Sequence, residues 1–216
     1  MAAFRAAVEA GARGIELDIH LSAKGEAVVF HDFTLERLHG DPRRLVELTN
    51  SELASFGIPL LKELFATFGD GIFYDVEIKS RRSGPTGAER EAVRLVRQYG
   101  LEERVLISSF NPHALRAVAS AGGEIPRGII YSRERDVPYL LRRGWGRFTV
   151  QVAALKPRYD QVTPGMMRRF GRRYAVLPWT VDDPDEARRL NRLGVDGIIT
   201  NDPVTIATAL AEESAD

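Results

Sequence analysis

The chain contains no cysteine. That excludes a disulfide framework, a thiolate nucleophile and a Cys-ligated zinc centre. It also carries no net charge, because 30 basic and 30 acidic side chains cancel. Its overall electrostatics therefore give no case for nucleic acid or an anionic membrane as the main partner. No apolar run approaches the ~20 residues of a membrane span, and no secretory signal is visible. The expectation is a cytoplasmic chain without a membrane span. What remains is ordinary for a soluble globular protein: 216 residues, 44% hydrophobic and 28% charged. That length predicts a single domain over residues 1–216, large enough for a sizeable core.

Residues 11–32 organise the rest. Gly11 ends a helix predicted over residues 2–10, in which Phe4, Ala7 and Val8 share a face. In the strand-type run that follows, Ile15, Leu17, Ile19 and Leu21 alternate with Glu16, Asp18 and His20. A period of two puts both acids on one face. Two carboxylates at i and i+2 within so apolar a run look like hard oxygen ligands for Mg²⁺ or Ca²⁺. Lys24 and Gly25 make a turn, and a second run, residues 27–30, ends in His31 and Asp32. A histidine at a strand end beside a carboxylate face is suited to proton transfer near neutral pH. His20 shares the acid face and reads as an incidental residue near a loop, with a place at the site mouth as the alternative.

Beyond this, residues 33–50 read as loop, followed by a short helix to Phe56 and another from residue 58 to Gly69. Strands are predicted at 72–79, 104–109, 127–131, 148–153, 174–181 and 194–203. Helices are predicted at 88–99, from Asn111 and Pro112 onward, at 133–143, at 183–193 and at 204–213. Residues 81–87 are a basic Gly/Pro loop, and Lys156 reads as a surface residue just past its strand.

The strings Ala3-Phe4-Arg5-Ala6-Ala7, Glu16-Leu17-Asp18 and Val29-Phe30-His31-Asp32-Phe33-Thr34-Leu35-Glu36-Arg37, with their spacing, closely resemble the glycerophosphodiester phosphodiesterase family. Glu77-Ile78-Lys79 is similar to that family's metal-ligand glutamate and phosphate-contacting lysine. Trp179-Thr180-Val181 resembles its Trp-Thr-Val-Asn, with Asp182 in the last place. The resemblance implies a metal site of Glu16, Asp18 and Glu77, a catalytic His31, and substrate contacts from Lys79 and Trp179. The cofactor is a divalent cation, Mg²⁺ or Ca²⁺, and the partner is a small glycerophosphodiester substrate. The reaction implied is hydrolysis to glycerol 3-phosphate and an alcohol. Two alternatives stay open: a lysophospholipid-type phosphodiester as substrate, and a non-catalytic relative that binds metal or phosphate.

The alternation of strand and helix predicts an α/β fold, a TIM (β/α)₈-type barrel with a small β-hairpin insertion at 27–30. Core strands near residues 14, 74, 105, 128, 149, 176 and 197 make seven. The family's opening His-Arg-Gly strand and Glu-Asn-Thr loop do not occur in the sequence. The expectation is therefore a barrel lacking its first strand through N-terminal truncation, with one of the family's two histidines absent. Open barrel edges would invite self-association.

Overall fold

The computed structural model describes residues 1–80, 84–135 and 137–213. They gather into two compact units: Arg13–Pro126 with Met1, and Ala2–Ala12 with Arg127–Asp216. The chain opens with α1 (Ala2–Glu9), part of the second unit.

The first unit begins with β1 (Gly14–Leu21), β2 (Ala27–Val29), β3 (Thr34–Leu35), α2 (Glu36–His39), β4 (Asp41–Arg44), α3 (Asn50–Ser55) and α4 (Leu61–Phe68). It continues with β5 (Phe73–Ile78), α5 (Ala88–Tyr99), β6 (Val105–Ser109) and α6 (Pro112–Ala121). Its main sheet has the order β2-β1-β5-β6. Only the β1–β2 hairpin is antiparallel; β1–β5 and β5–β6 run parallel. The alternation in β1 works as its period demands: Ile15, Leu17 and Ile19 are buried, while Glu16 and Asp18 stay partly open. Short polar signals set the helix ends. Asn111 caps α6 by accepting from the His113 amide at 2.9 Å, with Pro112 in the first turn. Thr49 caps α3 in a reciprocal pair with Glu52.

The stretch expected to be loop, residues 33–50, instead holds β3, α2 and β4. Its leucines explain the difference. Leu35, Leu45 and Leu48 bury themselves with Val28, Leu53, Ile58 and Leu60 in a small core. That burial orders a segment whose charge and short apolar spacing carry no clear period.

The second unit holds β7 (Arg127–Tyr131), β8 (Ala154–Pro157), α7 (Pro164–Phe170), β9 (Ala175–Val176), α8 (Pro184–Arg192) and α9 (Pro203–Glu213). β7, β8 and β9 lie side by side and parallel. Its core is Val162, Val176, Val181, Ala187, Leu190 and Ile206.

Three expectations fail here. The helix predicted over 133–143 is replaced by 3₁₀ turns at Tyr139–Leu141 and Trp145–Phe148. Pro138 precedes the first and Gly144 the second. Gly144 has a positive φ of 67°, and a Cβ there would meet the Tyr131 ring at 2.8 Å. The strand predicted over 148–153 lies at Ala154–Pro157, and Lys156 is inside it and buried. The strand predicted over 194–203 is extended chain without ladder pairing. It is held by bonds from the Ile199 amide to the Pro178 carbonyl and from the Val181 amide to the Ile199 carbonyl. Pro178 also shortens β9, since it offers no amide to a ladder. Arg81 and Arg82 of the basic loop lie outside the described residues.

Phe65 ties α4 to its surroundings in the first unit. It is fully buried, with its ring centroid 4.9 Å from Tyr74 and 5.8 Å from Tyr99. Phe65→Ala should cost about 3–5 kcal/mol in stability. Urea unfolding of the two proteins measures the difference.

Candidate active site

The register between β1 and β5 builds the site. Asp18 stands directly opposite Glu77, and Glu16 opposite Asp75. Neighbouring strands are about 4.8 Å apart, and residues two apart share a face. Glu16, Asp18 and Glu77 therefore converge. One carboxylate oxygen from each lies within 4.8 Å of the others. Glu77 is buried, and the other two are partly so.

Three carboxylates this close repel one another unless positive charge joins them. Lys79 supplies part of it. Its Nζ lies 3.0 Å from Asp18 Oδ1 and 2.8 Å from Glu77 Oε1. Burial pulls the Lys79 ammonium toward neutrality, but Glu77 and Asp18 outweigh burial and hold its pKa above the ordinary lysine value. The donor set is oxygen only, which suits a hard divalent cation such as Mg²⁺ or Ca²⁺. The expected ligands Glu16, Asp18 and Glu77 and the expected Lys79 thus meet in one place. Asp75, next along the same face, accepts a 2.7 Å bond from the Ser108 hydroxyl.

His31 follows β2, one residue past Phe30, whose amide donates to the Asp18 carbonyl at 2.9 Å. Its side chain is 65% exposed. Nδ1 pairs with Asp32 Oδ1 at 2.7 Å, and Arg37 Nε donates to Asp32 Oδ2 at 2.6 Å. The Arg37 bond first, and the His31 bond second, hold the Asp32 carboxyl below its usual range. Reading the sequence did not single out Arg37. Its place on α2, five residues after Asp32, was the available signal.

His20 is not the loop-proximal residue expected. It is buried, its Nε2 lies 3.3 Å from the His31 carbonyl, and its ring meets Phe33 edge-on at 4.8 Å. A carbonyl only accepts, so Nε2 carries the proton. Burial pushes the imidazole pKa down from 6.5 to about 4. His20 is therefore a neutral strut for the loop that carries His31. Ser109 and Asn111, at the end of β6, are also structural. The Ser109 hydroxyl donates to the Ile78 carbonyl at 2.8 Å and accepts from the Asn111 amide at 3.1 Å.

In the second unit, Trp179 is partly buried and its indole N–H donates to the Lys156 carbonyl at 2.9 Å. Lys156, expected at the surface, is 1% exposed.

Against known proteins, residues 1–205 match the glycerophosphoryl diester phosphodiesterase family. A glycerophosphodiester phosphodiesterase of Caldanaerobacter subterraneus subsp. tengcongensis is 34% identical, over 95% of this chain and 89% of its own. Among solved structures, the glycerophosphodiester phosphodiesterase of Thermotoga maritima superposes with a TM-score of 0.78 at 26% identity, covering 95% of this chain and 88% of that one. An Oleispira antarctica phosphodiesterase, solved with the product sn-glycerol-3-phosphate, gives 0.80 at 23% identity, over 97% and 90%. The fold is accordingly the α/β, TIM-barrel type of these structures.

Two outcomes follow from this geometry. Mg²⁺ or Ca²⁺ should raise the melting temperature of the metal-free protein, and Glu77→Gln should remove most of that rise, because bound metal stabilises only the folded state. Thermal unfolding with and without EDTA reads it; equal rises in both proteins would place the metal elsewhere. His20 has a lower pKa folded than unfolded, so protonation favours the unfolded chain. Stability in EDTA should fall as pH drops from 6.5 toward about 4. His20→Gln keeps an amide nitrogen at the strut and should flatten that limb.

Proposed function

We propose that this chain, which belongs to the glycerophosphoryl diester phosphodiesterase family, hydrolyses a glycerophosphodiester to glycerol 3-phosphate and an alcohol. The observation that carries the reading is the convergence of Glu16, Asp18 and Glu77 around the Lys79 ammonium. Glu16, Asp18 and Glu77 would hold one divalent cation, Mg²⁺ or Ca²⁺. Such an ion, when bound, neutralises phosphate oxygens and orients a nucleophile.

The chain's own residues divide the remaining work. Lys79 stays charged and places positive charge where it builds on the phosphoryl oxygens. His31 gives a proton to the departing alcohol oxygen, acting as general acid. With Nδ1–H directed at Asp32, the proton exchanges at Nε2. Asp32 orients the ring, while Arg37 keeps Asp32 ionised and in place. The family resemblance implies a substrate contact from Trp179, whose indole is fixed in orientation by the Lys156 carbonyl.

Turnover is the measurement that separates this reading from a non-catalytic relative that binds metal or phosphate. β2 pairs with only Ile19, His20 and Leu21 of β1, and the length of β1 before them favours weak self-association as a strand edge. Sedimentation at rising concentration tests it.

Hydrolysis of glycerophosphocholine and glycerophosphoethanolamine should require added Mg²⁺ or Ca²⁺ and stop with EDTA. His31→Ala should lower kcat by about 10²–10⁴-fold. Asp32→Asn should lower it less, because the ring is still present but less well held. Metal-dependent stabilisation without any turnover of either diester, or of a lysophospholipid, would instead support the binding-only relative.

A further inference from the structure

The chain is neutral overall, yet its charge is not evenly spread. Residues 137–181, all in the second unit, hold nine basic side chains and a single acid, Asp160. Arg158 pairs with Glu134 and Asp160. Among the described residues, Arg142, Arg143, Arg147, Arg168, Arg169, Arg172 and Arg173 have no carboxylate partner. Arginines elsewhere are commonly paired, as Arg43, Arg94, Arg97, Arg188 and Arg192 show.

Large aromatic side chains stand among these cations. Tyr139 is 72% exposed, Trp145 44% and Phe148 73%. The 3₁₀ turns and α7 belong to one patch, because the Arg147 guanidinium lies 4.3 Å from the Phe148 centroid and 4.6 Å from that of Phe170. Beside it is a cavity of about 180 Å³ lined by Arg133, Tyr139, Arg142, Arg143 and Trp145. Arg142 is anchored there by bonds to the Val137 and Arg135 carbonyls.

We propose that this basic and aromatic face of the second unit docks the protein on an anionic lipid surface, with lipid phosphate seated in the cavity of Arg133, Arg142 and Arg143. Arginine clusters attract anionic leaflets, and exposed Trp and Tyr sit well at the headgroup level, where one end of the ring is apolar and the other wet. A single-stranded nucleic acid is the other polyanion such a patch suggests. It needs open ring faces for stacking. Here Arg147 covers Phe148 and Phe170, Arg142 lies over Tyr139 and Arg173 over Tyr174. Docking of this kind does not depend on the catalytic reading above.

The test is co-sedimentation of the full chain with phosphatidylcholine vesicles, with and without phosphatidylglycerol, at low and high salt. Binding is expected only with the anionic lipid and should weaken with salt. The triple variant Arg143→Glu, Arg168→Glu, Arg169→Glu replaces exposed side chains, and its fold can be verified by thermal unfolding. It should bind on the order of a hundredfold more weakly. Tryptophan emission should shift to the blue on binding, and Trp145→Phe should abolish the shift while leaving the other tryptophan, Trp179. Three results overturn the proposal: no binding to anionic vesicles at low salt, equal binding by the triple variant, or tighter binding to a single-stranded oligonucleotide than to the vesicles.

Discussion

Mutual repulsion of three carboxylates is the constraint around which the first unit is arranged. Glu16, Asp18 and Glu77 are brought together by the parallel register of β1 and β5. Left alone, that register would be costly, because like charges a few ångström apart at a partly buried site disfavour one another. The apolar faces of the same strands enforce it: Ile15, Leu17 and Ile19 on one strand, Val76 and Ile78 on the other, all buried. A one-residue slip would turn those side chains outward and the acids inward. The core thus holds the acids in place, and Lys79 relieves the strain with its own charge. A cation entering the cluster would meet an ammonium already bonded to two of its ligands, so binding there is a contest between two positive charges.

How much of this could be read from the sequence depends on how local each signal is. Glu16, Asp18 and Glu77 were legible because strand period and residue type are local properties, and the β1–β5 pairing then brought them together. Helices with clear caps were legible for the same reason, as at Asn111 and Pro112. Non-local burial was not. His20 looked incidental because nothing nearby in sequence announces Phe33 or the His31 carbonyl as its neighbours. Lys156 looked exposed because its charge suggested solvent, whereas its place inside β8 buries it. The order in residues 33–50 was invisible because three leucines at irregular spacing fold onto residues from three other segments.

Net charge proved the least informative quantity. Equal numbers of acids and bases describe a chain with no preferred polyanion, but the arginines of residues 137–181 are gathered into one region of the second unit. A field depends on where charges sit and not on their total. Pairing matters as much as position: an arginine bonded to a neighbouring glutamate is already neutralised, and one resting on an aromatic ring is not.

The segment between β2 and α4 has its own small core, and it carries Arg37 on α2. Through Asp32, that arginine reaches the ring of His31. The ring of His31 is therefore held in orientation from a segment with a small core of its own. Divergence can act there freely: exchanging one residue on a surface helix changes how the histidine ring is held while the acid-bearing strands keep their register. Proteins built on the same strands can in this way vary the setting of that ring without rebuilding the fold.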